Sequence, residues 1–342
     1  MTRMASREFF RGRSVLITGG SGSLGRGLAE ELVRRKPKVI RVFDQDENGL
    51  WEMQEAYRGN TNLRFLLGNV RDEERLRMAC EGIDVVIHAA ALKHVQACEY
   101  NPFEAVRTNV LGTQNAIAAA RDADVERFVF TSTDKAVNPS NVMGTTKLLG
   151  EKLTVAANYY RGRHRTSFSC VRFGNVIGSR GSALHLFRGQ ALAGGPLTLT
   201  DPRMTRFVMT LAEAVRLVLK AVEMTRGGET FVLKMDSVRI ADAAELMAGA
   251  HGRSGEPMTV RHTGAKPGEK LYEELMTEEE VERAYEMEDM FVITPGMPEL
   301  VPKDLKPFPK ARKARHVPYR SDQVAALSPK ALGDFLRREG LL

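Results

Sequence analysis

The apolar pentapeptide Ser14-Val-Leu-Ile-Thr18 runs straight into Gly19-Gly-Ser-Gly-Ser-Leu-Gly25, and Leu24–Arg35 then carries apolar residues at helical spacing. A short apolar run with no polar alternation fits a strand buried on both faces, as in a parallel sheet. Gly19, Gly22 and Gly25 let the backbone turn sharply between strand and helix. They also let it approach a pyrophosphate, whose charge then faces the helix N-terminus. A glycine spacing alone is weak evidence, but in this strand–turn–helix context it points to a dinucleotide-binding turn.

The N-terminal half repeats the alternation. Strands are expected at Val39–Phe43, Leu63–Leu67, Asp84–His88, Arg127–Ser132 and Ser167–Arg172, with helices at Glu47–Tyr57, Phe103–Ala120 and Val142–Tyr160. The fold class is therefore α/β, a Rossmann-type doubly wound parallel sheet whose ligands sit at the carboxyl ends of the strands. After Gly174 the pattern loosens into short elements with glycines and prolines. Residues 1–174 are read as mainly the nucleotide-binding domain. Residues 175–298 are read as mainly a smaller substrate lobe with some return to the core, and 299–342 as a basic, proline-containing arm ending in a helix. The stretch Glu299–Arg315, rich in Pro, Lys and Arg, reads as extended and solvated.

With 43% hydrophobic and 27% charged residues, the 342-residue chain is expected to form a packed soluble core. Three cysteines without CxxC spacing argue against a disulfide framework or a metal site, and a reducing cytoplasm is the simplest setting. No stretch of about 18 apolar residues suggests a membrane span, and Met1–Arg13 lacks a signal-peptide pattern. The net charge of +7 comes from Lys and Arg scattered among Glu. That suits attraction of phosphorylated ligands better than nucleic-acid binding.

Asp44 closes the second strand, about 20 residues past the glycine loop, where an acid accepts hydrogen bonds from ribose hydroxyls. It would repel a 2′-phosphate, and no Arg follows directly, so NAD is favoured over NADP. At the end of the third strand, Asn69 and Val70, or Asp72 beyond them, are placed to meet adenine.

Four segments, Thr18–Gly25, His88-Ala-Ala-Ala91, Thr108-Asn109 and Arg172-Phe-Gly-Asn-Val176, together resemble the extended short-chain dehydrogenase/reductases. More narrowly, Leu92-Lys-His-Val95, Glu99-Tyr-Asn-Pro-Phe103, Ser132-Thr-Asp-Lys-Ala136 and Asn138-Pro-Ser-Asn-Val-Met-Gly144 resemble the UDP-N-acetylglucosamine 4,6-dehydratases of bacterial glycan biosynthesis. So do Gly178-Ser-Arg-Gly-Ser182, Thr200-Asp-Pro-Arg-Met-Thr-Arg-Phe207 and Pro267-Gly-Glu-Lys270. The resemblance spans roughly residues 12–280. It implies a UDP-amino sugar substrate and a homo-oligomer, dimer or higher. It adds Ser23, Leu24, Ala89, Ala90, Lys93, Asn109 and Lys147 to the cofactor site. It assigns Lys93, Asn175, Arg180, Arg206 and Glu269 to the substrate, an arginine fork suiting a diphosphate. Alternative readings are Arg203 and Arg206 as packing or ion-pair residues, Lys270 as solvated, and His88 as shaping its strand end; His94 is undecided.

One position departs from the wider family, whose Tyr-x-x-x-Lys pair removes the hydroxyl proton during oxidation. Here the run is Met143-Gly-Thr-Thr-Lys147, and a thioether is only a weak acceptor. Lys147, one turn on and on the same face, would hold the nicotinamide ribose. Methionine also stands here in some active members of the resembling group. By the same resemblance, Thr133-Asp134-Lys135 follows the fifth strand as the chemical triplet. Asp134 would protonate the departing 6-hydroxyl, and Lys135, with its pKa lowered, would take the carbon-5 proton. The reading is a 4,6-dehydratase, with or without inversion at carbon 5. The alternatives are a 4-epimerase on the same substrate and a non-catalytic nucleotide-sugar binder.

Overall fold

A computed structural model of the chain describes residues 8–177, 183–252, 256–264, 268–297, 308, 311–315 and 318–342. Its first seven strands are β1 (Ser14–Thr18), β2 (Val39–Asp44), β3 (Leu63–Leu67), β4 (Val85–His88), β5 (Arg127–Thr133), β6 (Ser167–Phe173) and β7 (Asn175–Val176). There follow β8 (Leu197–Leu199), β9 (Thr205–Met209), β10 (Thr230–Leu233), β11 (Asp236–Arg239), β12 (Val260–His262) and β13 (Glu274–Met276). The last are β14 (Ala284–Glu286), β15 (Met290–Ile293), β16 (Arg312–Lys313) and β17 (Tyr319–Arg320). The helices are α1 (Ser23–Arg34), α2 (Glu47–Ala56), α3 (Glu73–Cys80), α4 (Val95–Tyr100), α5 (Pro102–Ala105) and α6 (Gly112–Asp122). Then come α7 (Val142–Tyr160), α8 (Ala183–Leu192), α9 (Leu211–Met224), α10 (Ile240–Ala250), α11 (Glu278–Glu282) and α12 (Pro329–Arg338).

The central sheet has ten strands in the order β16-β14-β15-β10-β6-β5-β4-β1-β2-β3. From β3 to β10 every pairing is parallel, and β15 and β14 then add antiparallel. This is the doubly wound Rossmann order, with its switch point between β1 and β4, where a ligand crevice opens. All five residues of β1 and all four of β4 are buried, as expected of strands covered on both faces. The apolar stripe of α1 sets Gly25, Leu28, Ala29 and Leu32 against the sheet at one-turn spacing.

The strands expected from the sequence are all present, and the structure adds α3, whose N-cap is Asp72. The helix expected over Phe103–Ala120 is not uniform. Val106–Leu111 winds as a π-helix between α5 and α6. One wider turn rotates the residues after it, and here it lets Asn109 and Thr113 both face inward. Most of the stretch Glu299–Arg315 lies outside the described residues; within it Phe308 and Ala314 are buried, while Arg312 and Lys313 are exposed on an edge strand paired with β14.

The lobe holds a three-stranded sheet, β11-β9-β7, and a parallel pair, β12-β8, packed with α8, α10 and α12 around a separate apolar cluster. A short pair, β13-β17, closes over the carboxyl end of β5. Among the described residues no helix is long and apolar enough to cross a membrane.

Sheet, long helix and lobe meet at Arg172. Its side chain is 2% exposed and donates to Glu151 of α7 (Nε–Oε1 2.9 Å) and to Glu280 of α11 (Nη1–Oε2 2.9 Å). A further bond from Nη1 reaches the Leu275 carbonyl at 2.8 Å. Burial alone would raise the Glu280 carboxyl, but Arg172 outweighs it and holds Glu280 below the usual glutamate range. Glu280 therefore stabilises the fold above the ordinary glutamate pKa, and that contribution is lost as pH falls through its depressed value. Arg172→Met leaves two buried carboxylates without their guanidinium partner. We expect it to cost about 3–5 kcal/mol in urea unfolding at pH 7. The deficit should shrink on acidification, because protonation relieves the orphaned carboxyls. A deficit independent of pH would contradict this account.

Candidate active site

A cleft of about 640 Å³ opens at the carboxyl ends of the central strands. Gly19 turns the chain out of β1 with φ +67°, and a Cβ there would lie 2.7 Å from the Ala90 backbone after β4. A Cβ on Gly25 would lie 2.5 Å from the Gly20 backbone. Both glycines are therefore required for the loop to pass between β1 and β4. Gly22, the N-cap of α1, brings no side chain to the helix end, so that end faces the cleft without a side-chain cap. The Asp44 carboxylate is fixed by this same loop: Oδ2 accepts from the Ser21 amide at 2.9 Å and the Ser21 hydroxyl at 2.7 Å.

The walls bring together Gly19, Gly22, Ser23, Leu24, Gly25, Asp44, Asn69, Val70, Ala89, Ala90 and Lys93 with Thr133, Lys135, Met143, Lys147 and Asn175. Asp72 is not among them, since its carboxylate caps α3 by accepting from the Arg75 amide at 2.9 Å. Asn109 lies behind the wall, 1% exposed. Its Oδ1 accepts from Leu92 N at 2.8 Å, and its Nδ2 donates to Leu92 O at 3.0 Å and Thr146 Oγ1 at 3.0 Å, so it pins the loop after β4 to α7. His88 is also internal. Its ring lies between Thr18 Oγ1 (2.7 Å) and Thr113 Oγ1 (3.2 Å), and burial, aided by the Lys147 cation, lowers it to about 3. It remains neutral and shapes the strand end. His94 stands at the N-cap of α4.

Two of the lysines that line this cleft sit in opposite electrostatic settings. Lys147, 6% exposed, donates to the Thr131 carbonyl and lies 4.0 Å from the Phe130 ring centroid. Burial lowers it to about 8 despite the opposing pull of Glu151. Met143, one turn earlier, is buried with Cys98 and Ala105.

Lys135 sits on the one-turn 3-10 segment Asp134–Ala136 that follows β5. Its Nζ donates to Asp134 Oδ1 at 2.9 Å, lies 3.5 Å from Asn175 Oδ1 and 3.6 Å from Glu273 Oε1. The Thr133 hydroxyl also donates to Asp134 Oδ1, at 2.8 Å. Burial pulls Lys135 down, but Asp134 and Glu273 together prevail and hold it above the ordinary lysine value. The sequence expectation of a lowered Lys135 rests on a nicotinamide cation beside it together with burial; the chain's own groups act the other way, through two close carboxylates.

Glu273 is the residue that sequence reasoning missed. It is 3% exposed, its carboxyl is pushed up by burial against the pull of Lys135, and Arg206 Nε lies 3.6 Å from its Oε1. Its only sequence signal is a place three residues past Lys270, in a stretch of no distinctive composition. Lys270 is anchored, donating to the Val137 carbonyl at 2.8 Å. Arg203 forms an exposed pair with Asp201 at 2.7 Å, its ion-pair reading. Glu269 is exposed at the rim of the lobe, and Arg180 lies outside the described residues.

A family profile described as "Polysaccharide biosynthesis protein" matches residues 15–295. A Methanocaldococcus jannaschii protein, described as an uncharacterized membrane protein, is 53% identical over 84% of this chain and 87% of its own. A Campylobacter jejuni UDP-N-acetylglucosamine 4,6-dehydratase (inverting) is 40% identical over 84% of each chain. A Rickettsia canadensis protein named UDP-glucose 4-epimerase is 40% identical over 83% of each. Among solved structures, Pen from Bacillus thuringiensis superposes with a TM-score of 0.90 at 42% identity, covering 96% of this chain and 98% of that one. The glycine turn, the strand order and these likenesses agree: the chain belongs to the polysaccharide biosynthesis protein family of extended short-chain dehydrogenase/reductases.

Proposed function

We propose that the protein is an NAD-dependent UDP-N-acetylglucosamine 4,6-dehydratase. The observation that carries the reading is the Asp134–Lys135 pair at the carboxyl end of β5, an acid and a base that an elimination needs. The 40% identical inverting dehydratase supports the same substrate. A second reading, a 4-epimerase, is kept by the 40% identical relative of that name. It leaves the Asp134–Lys135 pair without a chemical task.

The cleft fits a dinucleotide on its own chemistry. The α1 N-terminus and its glycine loop offer backbone donors to a pyrophosphate, Asp44 would accept from the ribose hydroxyls, and Asn69 and Val70 would flank the adenine. Ala89, Ala90 and Lys93 would line its nicotinamide half, with Lys147 on the second ribose. When bound, NAD accepts a hydride from carbon 4 and returns it at carbon 6. The ketone at carbon 4 acidifies the carbon-5 hydrogen. Lys135 Nζ then takes that proton, and Asp134 gives one to the departing 6-hydroxyl through Oδ2, its oxygen with no hydrogen-bond partner among the described residues. Thr133 orients Asp134 through Oδ1. Arg206 with Arg180 would bind the diphosphate, Asn175 and Lys93 the sugar, and Glu269 the rim of the nucleotide. The exposed Tyr100, Phe103, Leu111 and Leu149 on neighbouring helices support pairing of copies into a homo-oligomer.

Three outcomes test the reading. In heavy water with UDP-N-acetylglucosamine, the product should lack one water and carry deuterium at carbon 5 by mass spectrometry. A product of unchanged mass and no carbon-bound deuterium would instead mark a 4-epimerase. Met143→Ala should keep appreciable turnover, whereas Lys147→Ala should lose most of it; a hundredfold gain from Met143→Tyr, about 2.7 kcal/mol of barrier, would mean the natural site lacks a needed acid–base group. Titration should show tighter NAD than NADP binding, and Asp44→Ala with a neighbouring Arg should move the preference toward NADP. Equal affinities in the wild type would refute the role given to Asp44.

A further inference from the structure

A lysine serves as a base only as the free amine. In the arrangement described, Lys135 is flanked by Asp134 and Glu273 and is an ammonium. Its side chain is 23% exposed in the open cleft, and once substrate covers it a neighbouring group must take its proton. Four features identify the acceptor. Glu273 Oε1 is 3.6 Å from Lys135 Nζ, a small side-chain rotation from contact. Its Oε2 is buried without a hydrogen-bond partner among the described residues, so that oxygen is free of competing donors. The same Oε1 is 3.6 Å from Arg206 Nε, which favours the charged carboxylate. Finally, the backbone of Glu273 is clamped, its amide donating to Ser321 Oγ at 2.9 Å while its carbonyl accepts from Ser321 N at 2.9 Å. The fold thus holds this carboxyl against a lysine and an arginine at once, in a place closed to water.

We propose that Glu273 is the proton store of the site: it takes the Nζ proton of Lys135 when the anionic part of the substrate draws Arg206 away. This deepens the dehydratase reading and rests on it. The Lys135 N–H bond breaks, its electron pair stays on Nζ, and an O–H bond forms on Glu273, so an ion pair becomes a neutral amine and acid. The amine then removes the carbon-5 proton, and the C–H electron pair expels the 6-hydroxyl, which leaves as water with the proton of Asp134. The 4-hydroxyl proton released in the oxidation balances the one Asp134 gives. Lys135 returns its proton to carbon 5, and Glu273 restores the ammonium once product leaves. Binding of the anionic substrate is thereby coupled to creation of the base, and an empty site keeps Lys135 protonated. The charged groups facing this transfer are Asp134, Arg206 and Lys270.

The test is Glu273→Gln in the full chain, assayed beside wild type with UDP-N-acetylglucosamine and NAD. The glutamine keeps the shape but cannot take a proton. NAD affinity should be unchanged, and water loss should slow at least a hundredfold at neutral pH. The residual rate should climb about tenfold per pH unit where wild type is flat, since Lys135 must now lose its proton to solvent. Glu273→Asp should recover much of the rate with the wild-type profile. A Glu273→Gln rate within tenfold of wild type, or a slow rate with the wild-type pH profile, overturns the proposal. Infrared difference spectra of wild type keep the proposal open to refutation even if the variant does not fold. Adding substrate should raise a protonated-carboxyl band that shifts in heavy water, and its absence overturns the proposal. Wild type that dehydrates while failing these tests refutes only the proton store; wild type that never dehydrates refutes the parent reading as well.

Discussion

The fold turns on the guanidinium of Arg172. Removing a cation from water is costly, and this one is compensated on every side by Glu151, Glu280 and the Leu275 carbonyl. Those partners come from two distant parts of the chain, α7 and the β13–α11 segment. Glu151 lies one turn beyond Lys147 on α7, and Leu275 is two residues from Glu273 on the lobe side. One buried cluster therefore sets the distance between the lysine assigned to the cofactor and the carboxylate that faces the other lysine. Geometry at the cleft is inherited from an interaction that never touches it.

Around that joint, environment rather than residue type decides chemistry. Lys135 and Lys147 line one cleft, yet one is held above the ordinary lysine range and the other is brought down to about 8. The difference is the company of carboxylates: Lys135 meets two within 3.6 Å, whereas Lys147 meets a carbonyl and an aromatic ring. His88 shows the same logic, its titration suppressed by burial and by the Lys147 cation. Charge states in this site are set by neighbours that arrive from distant positions in the chain.

That is also why the sequence is read so unevenly. The Rossmann half was legible because its signals are local: a buried strand, a glycine turn and a helix are adjacent in the chain, and Gly19 and Gly25 sit where only glycine fits. Asp44 follows from its place at a strand end, and the Asp134-Lys135 pair from the resemblance that Ser132–Ala136 carries. What escaped depends on contacts between distant residues. Glu273 meets Lys135 across 138 positions and only because β13 closes over β5. The π-helical turn at Val106–Leu111 has no mark in the helical periodicity, yet it aims Asn109 at the loop after β4. The second counterion of Lys135, Glu273, escaped for the same reason, being invisible in the linear order.

The clamp at Ser321 has a consequence for the order in which the molecule is completed. Ser321 bonds Glu273 through both backbone groups and meets Thr205 and Ser237, while Tyr319 stacks on Phe207. On a ribosome the glycine turn and the first six strands emerge long before residues 319–321 do. A nascent chain can therefore build its dinucleotide cradle early, while β13 still lacks its β17 partner. The lobe side of the cleft is sewn shut only when a segment more than 300 residues downstream of that cradle's first strand is threaded against it. Nucleotide binding and chemical competence are thus separated in the time course of synthesis.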